Sequence, residues 1–479
     1  MRMLPDRHLG PAGAATLLEL AVLLGALLTS CADSRPSILL ITIDTLRADH
    51  TSVYGHTAHL TPALAELASR GTLFQWAFSA SCTTVPSHAS ILTGLYPSFH
   101  TVGSNNAHYQ LHPSAITLAE LLSEAGYETA AIVSNPALSA RVGLDQGFSH
   151  YDEKMEHREP TRGTREQVAD RAVDKAIAWL AQSRDRPCFL WLHLQDPHGP
   201  YLPPEAWREV AERGTTRSSL VLAPGRDNAG FKSIPRYQVH AGERTVGEYA
   251  QRYDGEIAFT DHHLARLFDH LERSPDLSET FIALTADHGE AFGEDGFFFA
   301  HGQSVGLDQV RVPLLLAGPG VPAGMRIETP VSNVALFTTI LDVAGLDSPG
   351  QAVGPSLLEL ARGECPAPDP VFVESINQIG VIFDNTFIRS DRLATHEAGF
   401  WRTPNPNTGG PWRALGRERL SPLSSTLPAP AIDPGLLEKR LGEFDTRAAE
   451  AEQRNRLIRQ PVPLSSEQQE ALRRLGYTR

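Results

Sequence analysis

Three stretches of the chain are almost unbroken runs of apolar residues that stop at acidic or imidazole side chains: SILLITIDTLRADH from Ser37, CFLWLHLQDPH at 188–198 and FIALTADHGE at 281–290. Runs of this length fit strands buried on both faces, each opening into a loop at its C-terminal end. Between them the apolar spacing becomes helical. TPALAELASRG has a polar start and a glycine stop, AITLAELLSEAGY is amphipathic up to Gly126, and EQVADRAVDKAIAWLAQS carries a long apolar stripe. The alternation predicts an α/β fold, a mostly parallel sheet sandwiched by helices, with ligands bound at the C-terminal ends of the strands.

The pattern also divides the chain. Residues 36–350 form the α/β core, and VALFTTILDVAGL (334–346) is its last helix. Within it, 202–245 is polar and rich in Gly, Pro and Arg, a surface excursion or lid. Beyond Gly350 come the short candidate strands PVFVES and GVIFDNTFI, a Pro-rich stretch and a charged helical tail, so 351–479 is expected to be a smaller C-terminal α+β domain.

Composition narrows the partners. The 479 residues carry 42 Lys and Arg against 56 Asp and Glu, a formal charge of −14, with no basic block, which excludes a phosphate-backbone surface for nucleic acid. Four cysteines without CxxC spacing make neither a disulfide framework nor a zinc knuckle. At the N-terminus, Arg2 and Arg7 precede the apolar run LAVLLGALL and then LTSC, which resembles a bacterial lipobox. Residues 1–31 are therefore expected to be a lipoprotein-type signal whose Cys31 becomes the lipidated first residue. The mature protein would be exported and anchored to the periplasm-facing cell envelope.

Candidate chemistry sits at the strand ends. Asp44, Asp287 and His288, with an adjacent hydroxyl, make a set of two carboxylates, one imidazole and one oxygen. That set suits one divalent ion, with manganese, zinc or water-completed magnesium favoured over calcium. SCTTVPSHASILTGLYP (81–97) starts a helix at Pro86, whose N-terminus favours an anion, so Cys82, Thr83, Thr84 and Ser87 are all candidate nucleophiles. A threonine hydroxyl there needs metal activation to attack at neutral pH. His193 lies inside an apolar run and reads as a satisfied core histidine, while His50, His56 and His59 show no metal-binding spacing.

IDTLRADHTSVYG, TVPSHASILTGLYP, DPHGPY, TADHGEAFGEDG, AHGQS and VRVPLLLAGPGVP, in that order between about 38 and 345, together resemble the sulfatase-like branch of the alkaline phosphatase superfamily. In its sulfatases, formylglycine is made from the Cys of a C-x-P-x-R motif. Two positions before Pro86 stands Thr84, Cys82 lies two residues too early, and His88 stands where the motif has Arg, so no formylglycine is expected. The resemblance implies that Thr84 is the nucleophile and that Asp44, Thr84, Asp287 and His288 hold the metal. Thr45 replaces the second Asp of the sulfatase pair. His198 and His301 occupy positions that bind the non-bridging oxygens or protonate the leaving group. Thr83 and Ser87 become helix-capping hydroxyls, and Asn105, Asn106 and Gln303 weaker candidates for substrate contact.

The expectation is a metal-dependent hydrolase, or a transferase, acting through a covalent phospho-threonine on a phosphate or phosphonate ester of a small molecule or of a glycan- or lipid-linked anionic ester. The alternatives are a sulfuric ester hydrolase lacking formylglycine and a non-catalytic surface binding protein on the same fold. Oligomeric state is not readable from the chain.

Overall fold

The computed structural model describes residues 35–391 except 106–109, 183–184, 213–217, 276, 366–369, 376–377 and 384–385. It also describes the 414–419 strand and, between 439 and 451, all but 441 and 445. Cys31, Asn106 and the Pro-rich 403–413 and 420–434 stretches lie outside the described residues.

Eight strands build the central sheet: β1 (Ile38–Ile43), β2 (Gly71–Phe74), β3 (Glu128–Ile132), β4 (His150–Asp152), β5 (Cys188–Leu194), β6 (Phe281–Ala286), β7 (Leu314–Ala317) and β8 (Met325–Ile327). Their order across the sheet is β8-β2-β7-β6-β1-β5-β3-β4. Only β7 runs against its neighbours, β2 and β6; every other pairing is parallel. The three unbroken apolar runs of the sequence are the three adjacent central strands, β6, β1 and β5, buried along their whole length. Registering Ile43 against both Leu194 and Ala286 brings the following residues, Asp44, Gln195 and Asp287, to one edge of the sheet.

Helices α1 (Pro62–Arg70), α2 (Thr84–Thr93), α3 (Leu118–Glu124), α4 (Ala169–Leu180), α5 (Val246–Arg273) and α6 (Leu336–Val343) pack around this sheet. The ends of two follow from local chemistry. α3 and α5 each open on a capping box, Thr117 with Glu120 and Thr245 with Glu248. The glycine after α1 does not act as a left-handed stop. Gly71 is extended and begins β2, where a Cβ would sit 2.0 Å from the Leu316 carbonyl oxygen, so glycine is required there for close strand approach. Every residue of α2 is buried.

Within 202–245, a short helix (Glu205–Ala211) lies against α5, and the segment turns inward at Ile234, Tyr237 and Gln238, all buried. Beyond 350, strands β9 (Val371–Glu374), β10 (Gln378–Phe383), β11 (Thr386–Asp391) and β12 (Ala414–Arg419) form an antiparallel sheet in chain order. GVIFDNTFI is thus two paired strands. Val371, Val373, Ile382 and Phe387 of this sheet share an apolar cluster with Trp76, Phe78 and Cys82, and Glu374 bridges to Ser81.

Candidate active site

Asp44 follows β1, Asp287 and His288 follow β6, and Thr84 opens α2; all four are fully buried. The Nε2 atom of His288 lies 3.3 Å from Thr84 Oγ1, 3.4 Å from Asp287 Oδ2 and 3.9 Å from Asp44 Oδ1. The other ring nitrogen, Nδ1, donates to the Gly289 carbonyl at 2.9 Å. That bond fixes the tautomer and leaves the Nε2 lone pair facing the carboxylates and the hydroxyl.

Each carboxylate is half satisfied. Asp44 Oδ2 accepts from Asn135 Nδ2 at 2.7 Å, and Asp287 Oδ1 accepts from the backbone N–H groups of Thr45 and His288 at 3.1 and 2.8 Å. Asp44 Oδ1 and Asp287 Oδ2 are buried without a hydrogen-bond partner. Orphaned carboxylate oxygens beside an unprotonated imidazole nitrogen are costly unless a cation joins them, so the residues fit a divalent metal. Burial raises the pKa of Asp44 and, helped by the Asp44 charge, raises that of Asp287 well above the ordinary carboxylate range. Burial also pushes His288 down to about 3, which keeps it a neutral ligand.

The backbone is strained where the metal-ligand loop begins. Thr45, β-branched, sits at φ 58°, held by the bond from its N–H to Asp287 and by the Tyr253 hydroxyl, which donates to the Thr45 carbonyl at 2.6 Å. The Thr45 hydroxyl itself is buried without a partner.

His198 and His301 adjoin this centre. The His301 ring lies 4.4 Å from that of His288 and 5.1 Å from that of His198, centroid to centroid. Burial lowers the basicity of both, with His301 pushed down to about 4. Two partners of this pair were not foreseen from the sequence. Glu290 Oε1 lies 3.1 Å from His301 Nδ1, and Glu290 Oε2 accepts from the Tyr201 hydroxyl at 3.0 Å. Burial pushes Glu290 up to about 8, which favours its protonated acid form beside the neutral His301 ring at neutral pH. The TADHGE run ended on Glu290 and could have pointed to it. Arg162 belongs to a segment without a motif. Its guanidinium lies over the Tyr237 ring at 4.7 Å and donates to the Gly199 carbonyl, next to His198, at 2.6 Å; Glu159 Oε2 is 3.3 Å away. Its positive charge reaches Asp44, His198 and His301.

Three expectations need correcting, those for Thr83, Ser87 and His193. Thr83 precedes α2 but makes no capping bond, its hydroxyl pairing instead with Ser81 at 3.2 Å. Ser87 donates to the Asp287 carbonyl at 2.5 Å, so it steadies the ligand loop rather than the helix end. The amide oxygen of Asn105 takes up the Val85 N–H at 2.7 Å, while its Nδ2 is buried without a partner. His193 is buried but not satisfied: Nδ1 accepts from the Ser134 N–H at 3.3 Å, and Nε2 is unpartnered, 3.6 Å from Asp44 Oδ2. Gln303 is exposed. Cys82 is buried, its thiol pushed up to about 12, which makes it a poor nucleophile.

The family profile described as Sulfatase matches residues 36–346, and the chain belongs to the sulfatase family. It is thereby a hydrolase acting on phosphoric or sulfuric ester bonds. A sulfatase of Formosa agariphila is 24% identical over 371 residues, covering 68% of this chain and 73% of that protein. Choline-sulfatase of Rhizobium meliloti is 27% identical over 365 residues, 65% of this chain and 68% of its own length. Among solved structures, a phosphonate monoester hydrolase of Agrobacterium radiobacter superimposes with a TM-score of 0.62 at 21% identity, over 87% of this chain and 96% of the other, a likeness of fold.

Proposed function

We propose that the chain hydrolyses phosphate or phosphonate esters through Thr84. The observation that carries this reading is the hydroxyl itself: Thr84 Oγ1 stands at a helix N-terminus, 3.3 Å from an unprotonated imidazole nitrogen and beside two orphaned carboxylate oxygens. Asp44, Thr84, Asp287 and His288 would hold one divalent ion, manganese, zinc or magnesium before calcium. Bound there, the ion supplies Lewis-acid charge that favours the threonine alkoxide.

The chain's own residues do the rest. Thr84 Oγ, its hydroxyl proton released to solvent beforehand, bonds to phosphorus as the bond to the leaving oxygen breaks. Glu290 passes its proton to Nδ1 of His301 as the ring gives up its Nε2 proton to the departing oxygen, and the Glu290 carboxylate holds the ring meanwhile. Arg162 supplies positive charge for the non-bridging oxygens, and His198, kept neutral by burial, would join it once a bound anion draws a second proton onto its ring. Water then attacks the phospho-threonine from the face the leaving group vacated, returning its proton through His301.

A sulfated threonine lacks the elimination route open to a formylglycine hydrate, so sulfate-ester hydrolysis is the slower alternative. Among relatives of this fold, phosphonate monoester hydrolases support the phosphorus reading and the choline-sulfatase the sulfur one. The ester would be small or carried on a glycan or lipid. Export and anchoring through Cys31 complete the proposal; Cys31→Ala would release the protein from membranes into the soluble envelope fraction. Among the described residues no helix is long and apolar enough to cross a membrane.

The test is a comparison of aryl phosphate, phosphonate and sulfate monoesters with the manganese- or zinc-loaded protein, combined with acid quenching and mass analysis of the peptide bearing Thr84. Faster phosphorus-ester cleavage with a phosphorylated Thr84 is expected. Preferential sulfate release with an unmodified peptide would overturn the reading.

A further inference from the structure

The segment after β1 carries two histidines, six positions apart, that the active site does not use. Two short turns, Ala48–His50 and Ser52–Tyr54, are followed by Gly55 at φ 102°, a conformation that favours glycine. The reversal, closed by the His56 N–H on the Thr51 carbonyl at 3.2 Å, lays the two imidazoles face to face, with centroids 5.5 Å apart and planes 20° apart. Asp254 reaches them from the middle of α5, its carboxylate fully buried. His50 Nδ1 is 2.6 Å from one carboxylate oxygen and His56 Nε2 is 3.6 Å from the other, and the three donor atoms all lie within 4.8 Å of one another.

We propose that His50, His56 and Asp254 form a second cation site, distinct from the catalytic centre, that takes a zinc-class divalent ion. The donor set argues for that class: two imidazoles and one carboxylate suit borderline metals, whereas magnesium and calcium require oxygen. The two histidine side chains keep 15% and 14% of their surface exposed, so a fourth position is open to water. The rings are held in place before any ion arrives. His50 packs on Phe292 at 5.4 Å and edge-on to Tyr253 at 5.0 Å. Without the ion, a proton bridges His50 Nδ1 and Asp254. The cation takes that proton's place between them, leaving His50 neutral with its proton on Nε2, while the proton of His56 moves from Nε2 to Nδ1 and displaces the long 3.4 Å bond from the Ala58 N–H.

The site also ties two elements together. Tyr253, beside Asp254, accepts from the Arg47 N–H at 2.9 Å and donates to the Thr45 carbonyl. An ion on His50, His56 and Asp254 therefore clamps α5 to the loop that leaves Asp44.

Zinc content of the full chain tests the proposal, measured after metal stripping, reloading with zinc and desalting. Wild type is expected to hold two equivalents. H50Q/H56Q should hold one, D44N/D287N one, and the four-fold variant none. Because substitutions at buried sites can unfold a chain, cobalt(II) is added to the D44N/D287N protein as a spectroscopic probe. Visible d–d bands that H56Q alone removes, with the far-ultraviolet dichroism unchanged, are expected. A wild type with one equivalent, or an H50Q/H56Q variant with the same zinc content as wild type, would overturn the second site and show that the cluster holds only a proton.

Discussion

Thr84 and Glu290 differ in how far the chain announces them. The hydroxyl two positions before Pro86 stood in a recognisable run, and so did Asp44, Asp287, His288, His198 and His301. Arg162 stood in none, because its meaning comes from the Gly199 carbonyl and the Tyr237 ring, which are remote in sequence. Local pattern cannot foretell such pairings. The same applies to Ser87, whose partner is the Asp287 carbonyl, 200 positions away. Thr84→Ala is expected to lower kcat at least about 10³-fold, measured on the preferred aryl ester, while Thr84→Ser keeps turnover. Arg162→Lys should keep the buried charge against Glu159 but lose the guanidinium fork. Its expected signature is a rise in KM, lowering kcat/KM about 10-fold, with a melting temperature close to wild type.

The elements explain why strand ends converge. Apolar runs and helical stripes were legible because burial imposes them locally, and β6, β1 and β5 lie side by side because each is apolar on both faces. Less legible were the joints between elements, where backbones approach closely. Gly289 is such a joint: a Cβ there would sit 2.2 Å from the Asp308 carbonyl oxygen and 3.3 Å from Arg47 Cγ. Gly289→Ala must therefore push the 287–290 loop away from 308, misplacing His288 and Glu290 together. It should reduce kcat about 10²-fold and lower metal affinity, read by activity and by metal titration of the same preparation.

At the scale of the molecule, buried ionisable groups link stability to metal and to pH. Chelation leaves the Asp44 and Asp287 oxygens without partners, so a metal present at 100 times its Kd should add about 2.7 kcal/mol of stability, visible as a higher melting temperature. In the chelated protein the sign of the pH dependence follows from the carboxyls. Glu166 and Glu290 keep their protons in the fold up to about pH 8, whereas the unfolded chain releases them near 4.5. Their contribution is fully present below 4.5 and is lost as pH rises through 8. Histidines buried neutral, such as His100 and His193, each pushed down to about 3, act with the opposite sign, but only below 6.5. From pH 6.5 to 8, melting of the chelated protein should therefore fall with pH, by at most about 1.4 kcal/mol per unit for each such carboxyl. Glu290→Gln, which can keep hydrogen bonds to both His301 and Tyr201, should flatten that slope; an unchanged slope would remove Glu290 from the account.

The small antiparallel sheet bears on how such a chain could be recombined. Its bridge from Glu374 to Ser81, and the cluster that joins Val373 and Phe387 to Trp76 and Cys82, tie it to the peptide that delivers Thr84. A crossover near residue 350 would look like a clean exchange of modules, yet the incoming half would meet a foreign surface just ahead of the nucleophile. A chimera in this scaffold should keep function when residues 76–84 travel with the sheet they lean on, which makes the exchangeable unit discontinuous along the chain.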